Sequence, residues 1–401
     1  MSTTKKPRVL RNVIFLGLIS LFTDLSTEMV YPLIPLYLTM VLGATPALVG
    51  IIEGIAESVA SLLKVFSGYV SDRFQKKKLL AFIGYAPGIL YKLALLIAGT
   101  WAGVLAARVI DRIGKGIRTA PRDVLVSEST DKNNMGRAFG IHKALDMLGT
   151  ALGVLIAYLI LLNMSNGIDY KLLFGLSLIP AALGLALFSF VKEKKLPRPT
   201  KKREAFWKNF GKISGQLRLY LLVSLLFTLG NSSNAFILLK AYAVGFDTIS
   251  VILLYLIYSA IASILSIPLG RLSDRIGRKK LLVSGYSTFT LCYLCFGFAP
   301  NQGVMIAAFV LYGAYTALIT GVERAYIVEI SPPELKGTML GLQATVVGIA
   351  LLPASIIAGI LWDTFNATVP FVFGAALSLV AALLLLFLMR NNARVSDTQV
   401  S

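Results

Sequence analysis

The chain has 401 residues, 56% of them hydrophobic and only 15% charged, with a mean hydropathy of +0.75. Soluble domains average about 45–50% apolar and about 25% charged residues, so this composition excludes an ordinary soluble enzyme and indicates a chain that crosses a membrane many times. The net charge of +19 would elsewhere suggest a nucleic-acid partner, but its distribution gives another reading.

A membrane-spanning helix needs about 20 mostly apolar residues. In chain order such segments fall at 12–40, 47–71, 78–98, 103–126, 137–162, 171–191, 217–243, 249–271, 280–298, 304–328, 338–361 and 370–390. The expectation is an all-α membrane protein with twelve transmembrane helices. No small-residue cleavage site follows a short apolar stretch near the start, so the first segment reads as a span and not as a signal peptide.

The connections at 42–46, 99–102, 163–170, 244–248, 299–303 and 362–369 contain no Lys or Arg. The alternate connections are rich in them: Arg73, Lys76, Lys77 and Lys78 in one, Arg275, Arg278, Lys279 and Lys280 in another. Cytoplasmic loops of membrane proteins carry the excess of basic residues. Both termini are therefore expected in the cytoplasm of a cell-membrane protein. That rule accounts for most of the positive charge, and no nucleic-acid partner is expected; the basic loops also suit anionic headgroups.

The run from Lys192 to Arg218 carries ten basic residues, two prolines and an amphipathic piece around Phe206, Trp207 and Phe210. It reads as a cytoplasmic linker, 192–216, between an N-terminal bundle of six helices (1–191) and a C-terminal one (217–401). An internal repeat supports the division. Gly68-Tyr-Val-Ser-Asp72-Arg73-Phe-Gln-Lys-Lys-Lys-Leu-Leu80 returns 202 residues later as Gly270-Arg-Leu-Ser-Asp274-Arg275-Ile-Gly-Arg-Lys-Lys-Leu-Leu282, identical at eight of thirteen positions. Glu128 and Gly136 likewise recur as Glu329 and Gly337.

Charged residues inside spans are costly, at ~2.5–3.5 kcal/mol each on insertion scales, so each needs a partner or a watery cavity. Span 1 holds Asp24 and Glu28 on one face, and span 2 holds Glu53 and Glu57 on one face, with Lys64 further on. Span 3 holds Lys92. Span 4 carries Arg108, Asp111, Arg112, Lys115, Arg118, Arg122 and Asp123, and span 5 begins with His142, Lys143 and Asp146. The second half has fewer: Lys240, Glu323, Arg324 and, near a span end, Glu329. Helical spacing places Arg108, Arg112, Lys115 and Arg122 along one stripe, with Asp111 and Arg118 at its margin. One reading is a structural network neutralising the acids of spans 1 and 2. The other is a central cavity in which Asp24, Glu28, Glu53, Glu57, Arg108, Asp111, Arg112, Lys115, Arg118, Lys143 and Asp146 meet substrate or protons. Arg122, Asp123 and Glu128 lie nearer the inner end, where a gate is expected.

Cys292 and Cys295 form a C-x-x-C inside an apolar span with no charged residue or His beside them, which favours packing over metal or redox chemistry. One His, His142, cannot build a His-rich metal cage, and no G-x-x-x-x-G-K-[ST] phosphate loop is present. No metal, cofactor or enzymatic activity is expected, and uphill transport would draw on an ion gradient.

Twelve spans, a basic central linker and the repeated G-x-x-x-D-R-x-G-R-K/R-K segment resemble the major facilitator superfamily. Gly270 to Lys280 fits that signature in full; in the first copy Gln75 replaces the turn glycine. Arg112-Ile-Gly-Lys115-Gly116 resembles the family's span-4 R-x-x-Q-G stretch, with Lys for Gln. Gly149 and Gly153 are similar, to a lesser degree, to the span-5 glycines of the drug-antiporter branch, without their Gly-Pro-x-x-Gly-Gly form. The resemblance implies two pseudo-symmetric six-helix bundles around a midplane site, alternating access, and efflux. It also implies a conformational latch at Gly68, Asp72, Arg73, Glu128, Gly270, Asp274, Arg275 and Glu329, in which Arg73 can pair with Glu128. With the cationic stripe, the expected function is a proton-coupled antiporter for a small organic anion or chelating compound, acting as a monomer in the bilayer. Alternatives are export of a cationic drug or metal ion held by the span 1 and 2 acids, an uptake permease, and, from another class, a membrane sensor or intramembrane enzyme.

Overall fold

The computed structural model describes residues 7–74, 76–130, 135–164, 167–193, 214–331 and 336–389. All regular structure among them is helical. Eleven stretches are long and apolar enough to cross a bilayer. The twelfth, span 4 (Trp101–Glu128), has 28 residues but carries too much charge to read as apolar. Arg108, Asp111, Arg112 and Arg118 on it are all buried, so the protein interior and not the lipid receives them.

Seven spans are continuous: span 2 (Pro46–Phe74), span 4, span 5 (Met135–Leu162), span 8 (Thr248–Ile276), span 9 (Arg278–Phe298), span 11 (Lys336–Thr364) and span 12 (Val369–Phe387). The other five are interrupted, a feature that hydropathy does not reveal. Span 1 runs Pro7–Glu28 and then continues in short segments, Tyr31–Leu33, Ile34–Leu36 and Tyr37–Val41, where Pro32 and Pro35 deny the helix two backbone donors. Span 3 breaks into Lys77–Tyr85 and Pro87–Ile97 at another proline. Span 6 is Tyr170–Leu176, Leu178–Ala186 and Leu187–Phe190. Span 7 breaks between Gly215–Gly230 and Ala235–Ala243, across Asn231-Ser-Ser-Asn234. Span 10 breaks between Gln302–Ile319 and Val322–Ile330, where Gly321 has φ +89.

Glycine sets the closest crossings. A Cβ on Gly149 would lie 2.3 Å from the carbonyl oxygen of Leu21, and one on Gly153 2.4 Å from that of Leu25. Spans 5 and 1 thus meet backbone to backbone, the close approach that small residues permit in membranes. Spans 2 and 11 form a seam between the halves in the same way, with Gly359 against Pro46 and Ala47, Gly50 against Ser355 and Gly54 against Leu352.

Hydrogen bonds tie that seam from the end remote from the termini to its middle. The Ala47 amide donates to Asp363 (3.0 Å), and the Ser58 hydroxyl donates to the Gly348 carbonyl (2.7 Å). Between described residues, no hydrogen bond or ion pair joins the halves on the terminus side of Ser58. Among the described residues, the hydrogen bonds between the halves therefore run from mid-seam to the side remote from the termini.

The two basic turns are not built alike. Between spans 8 and 9 the turn is the single residue Gly277, at φ +98, a left-handed conformation suited to glycine. Between spans 2 and 3, where Gln75 stands in the sequence, the helices end and restart at Phe74 and Lys77, so the link is one residue longer. In both halves the first residue of the following helix takes the acid that the repeat shares: Lys77 pairs with Glu128, and Arg278 with Glu329 (2.9 Å). The expected Arg73–Glu128 pair falls on a side chain outside the described residues; among those described, Lys77 holds Glu128. The surroundings of Gly68, Asp72, Arg73 and Asp274 lie outside the described residues, as does the amphipathic piece around Phe206.

Orientation is open to a direct test. A cysteine replacing Gly99, which has open space around it on the far side, should react with an impermeant maleimide on intact cells, and one replacing Thr200 should not. Labelling of Thr200→Cys alone would invert the topology.

Candidate functional site

Three acids and two arginines meet where spans 1, 2 and 4 approach span 7 and span 8. Arg108 clasps Glu53 with two parallel bonds, Nε to Oε1 at 3.0 Å and Nη2 to Oε2 at 2.6 Å, and neither side chain is accessible to solvent. Four residues on, Arg112 reaches Glu57, Nη2 to Oε1 at 3.0 Å, and approaches Asp111 at 3.8 Å. The i, i+4 spacing on both helices makes this a two-rung ladder: Glu53 and Glu57 on span 2, Arg108 and Arg112 on span 4. The ring of Tyr31, from the interrupted part of span 1, lies under both guanidinium groups at 5.1 and 5.8 Å, so cation–π attraction adds to the ion pairs.

Two of these acids touch the other half. Ser233, in the break of span 7, donates to Glu53 at 3.4 Å, and Tyr255 of span 8 donates to Glu28 at 3.2 Å. Beyond them the second half is a wall of neutral polar and aromatic groups. Tyr312 donates to Asn234 (2.8 Å), Asn231 donates to Tyr315 (3.0 Å), and the Tyr255, Tyr258 and Tyr312 rings follow one another at 5.3 and 5.1 Å, the first pair edge-on and the second tilted.

A second acid pair lies toward the termini on spans 1 and 5. Asp146 accepts from Ser20 (2.8 Å) and from Lys143 (2.6 Å), and Asp24 interacts with it electrostatically.

The span 4 stripe therefore divides. Arg108 and Arg112 face the acids of span 2. Lys115 is exposed and, like the half-buried Lys64 beside it on span 2, forms no ion pair with a described residue. Asp111 and Arg118 turn away from the seam into the first bundle. There Arg118 packs over the Tyr85 ring at 4.7 Å and against the Gly84 backbone, and Asp111 interacts with the buried Lys92. Arg122 is bound to its neighbour Asp123 at 2.9 and 3.0 Å, and His142 is buried. Cys292 donates to the Ala308 carbonyl inside the second bundle. The contacts of Tyr31, Ser233 and Tyr255 were not legible in the sequence. The run Asn231-Ser-Ser-Asn234 was the one signal available, as four polar residues in mid-span. An apolar groove of about 420 Å³ lined by Ile156, Leu159, Ile160, Asn163, Met164 and Leu172 has no charged group to fix an ionic ligand.

The described residues hold no group of three metal-ligating side chains. The family model of the Major Facilitator Superfamily matches residues 16–248 and again 220–400. The chain belongs to the major facilitator superfamily. An uncharacterized transporter of this superfamily from Methanocaldococcus jannaschii is 36% identical over 384 residues, covering 94% of this chain and 95% of that one. A multidrug resistance protein of Bacillus subtilis is 26% identical over 139 residues, 34% of each chain. Among solved structures, a nucleoside transporter has a TM-score of 0.79 at 13% identity, covering 94% of this chain and all of that one. The xylose transporter of E. coli in an inward open conformation has a TM-score of 0.74 at 17% identity, covering 96% and 98%. These likenesses establish the superfamily fold over the whole chain, and with it a small-molecule transporter embedded in the bilayer.

Proposed function

We propose that this chain is a secondary active transporter of the cell membrane that exports a small organic anion in exchange for protons by alternating access. The observation that carries the reading is the division of charge at the seam. Glu53 and Glu57 are already neutralised by Arg108 and Arg112, whereas the exposed Lys115 forms no ion pair with a described residue and interacts with Glu28, Glu57 and Asp24 only at longer range. A cationic drug or metal ion would have to break those pairs to reach the acids, and removing one partner of a buried pair costs about 3–5 kcal/mol. An anion meets instead an exposed ammonium that is not held in an ion pair with a described residue. Protons have candidate carriers in the Asp24–Asp146 carboxyl pair and in Glu28, whose partner Tyr255 belongs to the opposite half.

Efflux is supported by the partial likeness to a multidrug resistance protein, and cytoplasmic termini by the basic loops. Asp72 and Asp274, on the matching repeats, serve in this reading as latches that hold the cytoplasmic side in the opposite conformer.

Flux into proteoliposomes under an imposed pH gradient tests the proposal. Organic anions should move against their gradient when protons flow the other way. Lys115→Gln should reduce kcat/KM by about tenfold or more, since a hydrogen bond to a charged group contributes about 1.5–3 kcal/mol. Transport of cationic dyes that survives Lys115→Gln but is lost in Glu57→Gln would transfer the site to the acids.

A further inference from the structure

We infer that Arg11 and Lys192 hold the phosphate of an anionic phospholipid at the terminus-side surface of the membrane, against the paired rings of Phe15 and Phe190. The inference stands apart from the transport reading. Arg11 begins the apolar stretch of span 1 and Phe190 ends that of span 6, so both lie at the boundary between bilayer and water. Arg11 and Phe15 share a face of span 1 at i, i+4, and the guanidinium sits over the ring at 5.5 Å from its centroid. Phe15 in turn stacks on Phe190 at 5.2 Å, with 15° between the ring planes. In the last turn of span 6, a 3-10 helix over Leu187–Phe190, Phe188 packs inward against Phe82 and Tyr85 while Phe190 stays 52% exposed. Two residues on, the Lys192 amide donates to Asn12 (2.9 Å), the chain neighbour of Arg11. Arg11 and Lys192 are thereby brought together, and both are exposed.

Neither cation forms an ion pair with a described residue. Two acids of that end, Glu193 and Glu128, are engaged by span 3: Glu193 accepts from the Lys77 amide (2.6 Å), and Glu128 pairs with the Lys77 ammonium. A guanidinium stacked on a ring keeps its N–H fork for a phosphate, and the nearby ammonium adds a point charge. The exposed ring of Phe190 offers apolar surface where headgroup gives way to acyl chain. Two adjoining cations favour a lipid of net negative charge over a zwitterionic one, whose own ammonium they repel. The corresponding end of span 12 is closed by the protein itself. There Lys279 donates to the carbonyls of Leu386 (3.0 Å) and Met389 (2.6 Å), so that cation turns inward.

Native mass spectrometry of the purified protein in detergent, titrated with dioleoyl-phosphatidylglycerol or dioleoyl-phosphatidylcholine, tests the site. The first phosphatidylglycerol should bind about tenfold more tightly than the first phosphatidylcholine, as expected for two cations near the surface. Arg11→Gln/Lys192→Gln, checked for monodispersity and unfolding temperature, should bring the two lipids within about twofold of each other and leave phosphatidylcholine binding unchanged. The tie from Lys192 to Asn12 runs through the backbone amide and survives the substitution. Lys76→Gln/Lys280→Gln removes two exposed charges elsewhere on the same side and should keep the preference. Millimolar inorganic phosphate should not displace the lipid. The inference fails if the wild type shows no preference or if Arg11→Gln/Lys192→Gln keeps it. It fails equally if the control pair loses the preference to the same degree, which is general attraction to a basic face. Displacement by inorganic phosphate would make this a site for a soluble anion and overturn the lipid assignment.

Discussion

Arg108→Met should destabilise the protein by about 3–5 kcal/mol, because it leaves the Glu53 carboxylate buried without its partner. Ser233, at 3.4 Å, is the remaining hydrogen-bond donor to Glu53 among the described residues and carries no charge. Glu53→Leu/Arg108→Met should recover most of that loss, since an apolar pair of similar volume can replace a buried ion pair at little cost. Thermal unfolding of the three purified proteins in one detergent gives the comparison. A single variant within about 1 kcal/mol of wild type would mean that water reaches Glu53 and that the clasp is not a structural requirement. Full stability of the double variant together with lost transport would instead assign the pair to the transport cycle.

Gly149→Val should have an effect of similar size by a different route. Its Cβ would fall 2.3 Å from the Leu21 carbonyl oxygen and 2.8 Å from the Leu21 Cα. Backbone atoms cannot rotate away, so span 5 must separate from span 1, and overpacking of this kind costs about 1–3 kcal/mol or more. The Ser20–Asp146 bond between the same spans should weaken with it. Gly140→Ala, on the same helix with open space at its Cβ, is the control and should be neutral or stabilising by up to about 1 kcal/mol. If Gly149→Val purifies as a monodisperse protein with an unchanged unfolding temperature, the backbone crossing is not as close as described.

Apolar runs and basic loops made the spans and the two halves legible in the sequence, because hydrophobic length and loop charge act locally. Span 4 shows the strength and the limit of the approach. Its periodicity placed Arg108 and Arg112 on one face, and both do face the acids of span 2. The same periodicity could not show that Arg118 and Asp111 turn the other way, since that depends on where span 3 sits. Pairings between residues 55 positions apart, such as Glu53 with Arg108, depend on helix crossing and carry no sequence signal. Tyr31 and Tyr255 gave no warning, because tyrosine is ordinary in a membrane helix until its partner is known.

The seam on span 2 also acts as a fulcrum. Span 2 has 29 residues, and the last tie between the halves among the described residues is at Ser58. At 1.5 Å per residue, that tie stands about 18 Å from the far end of the helix and about 24 Å from the other. A tilt of about 10° at the pivot would sweep the terminus ends through about 4 Å, roughly the breadth of a small carboxylate. The longer arm lies toward the termini, so a displacement too small to repack the buried Glu53–Arg108 clasp would suffice to admit or exclude a solute on that side.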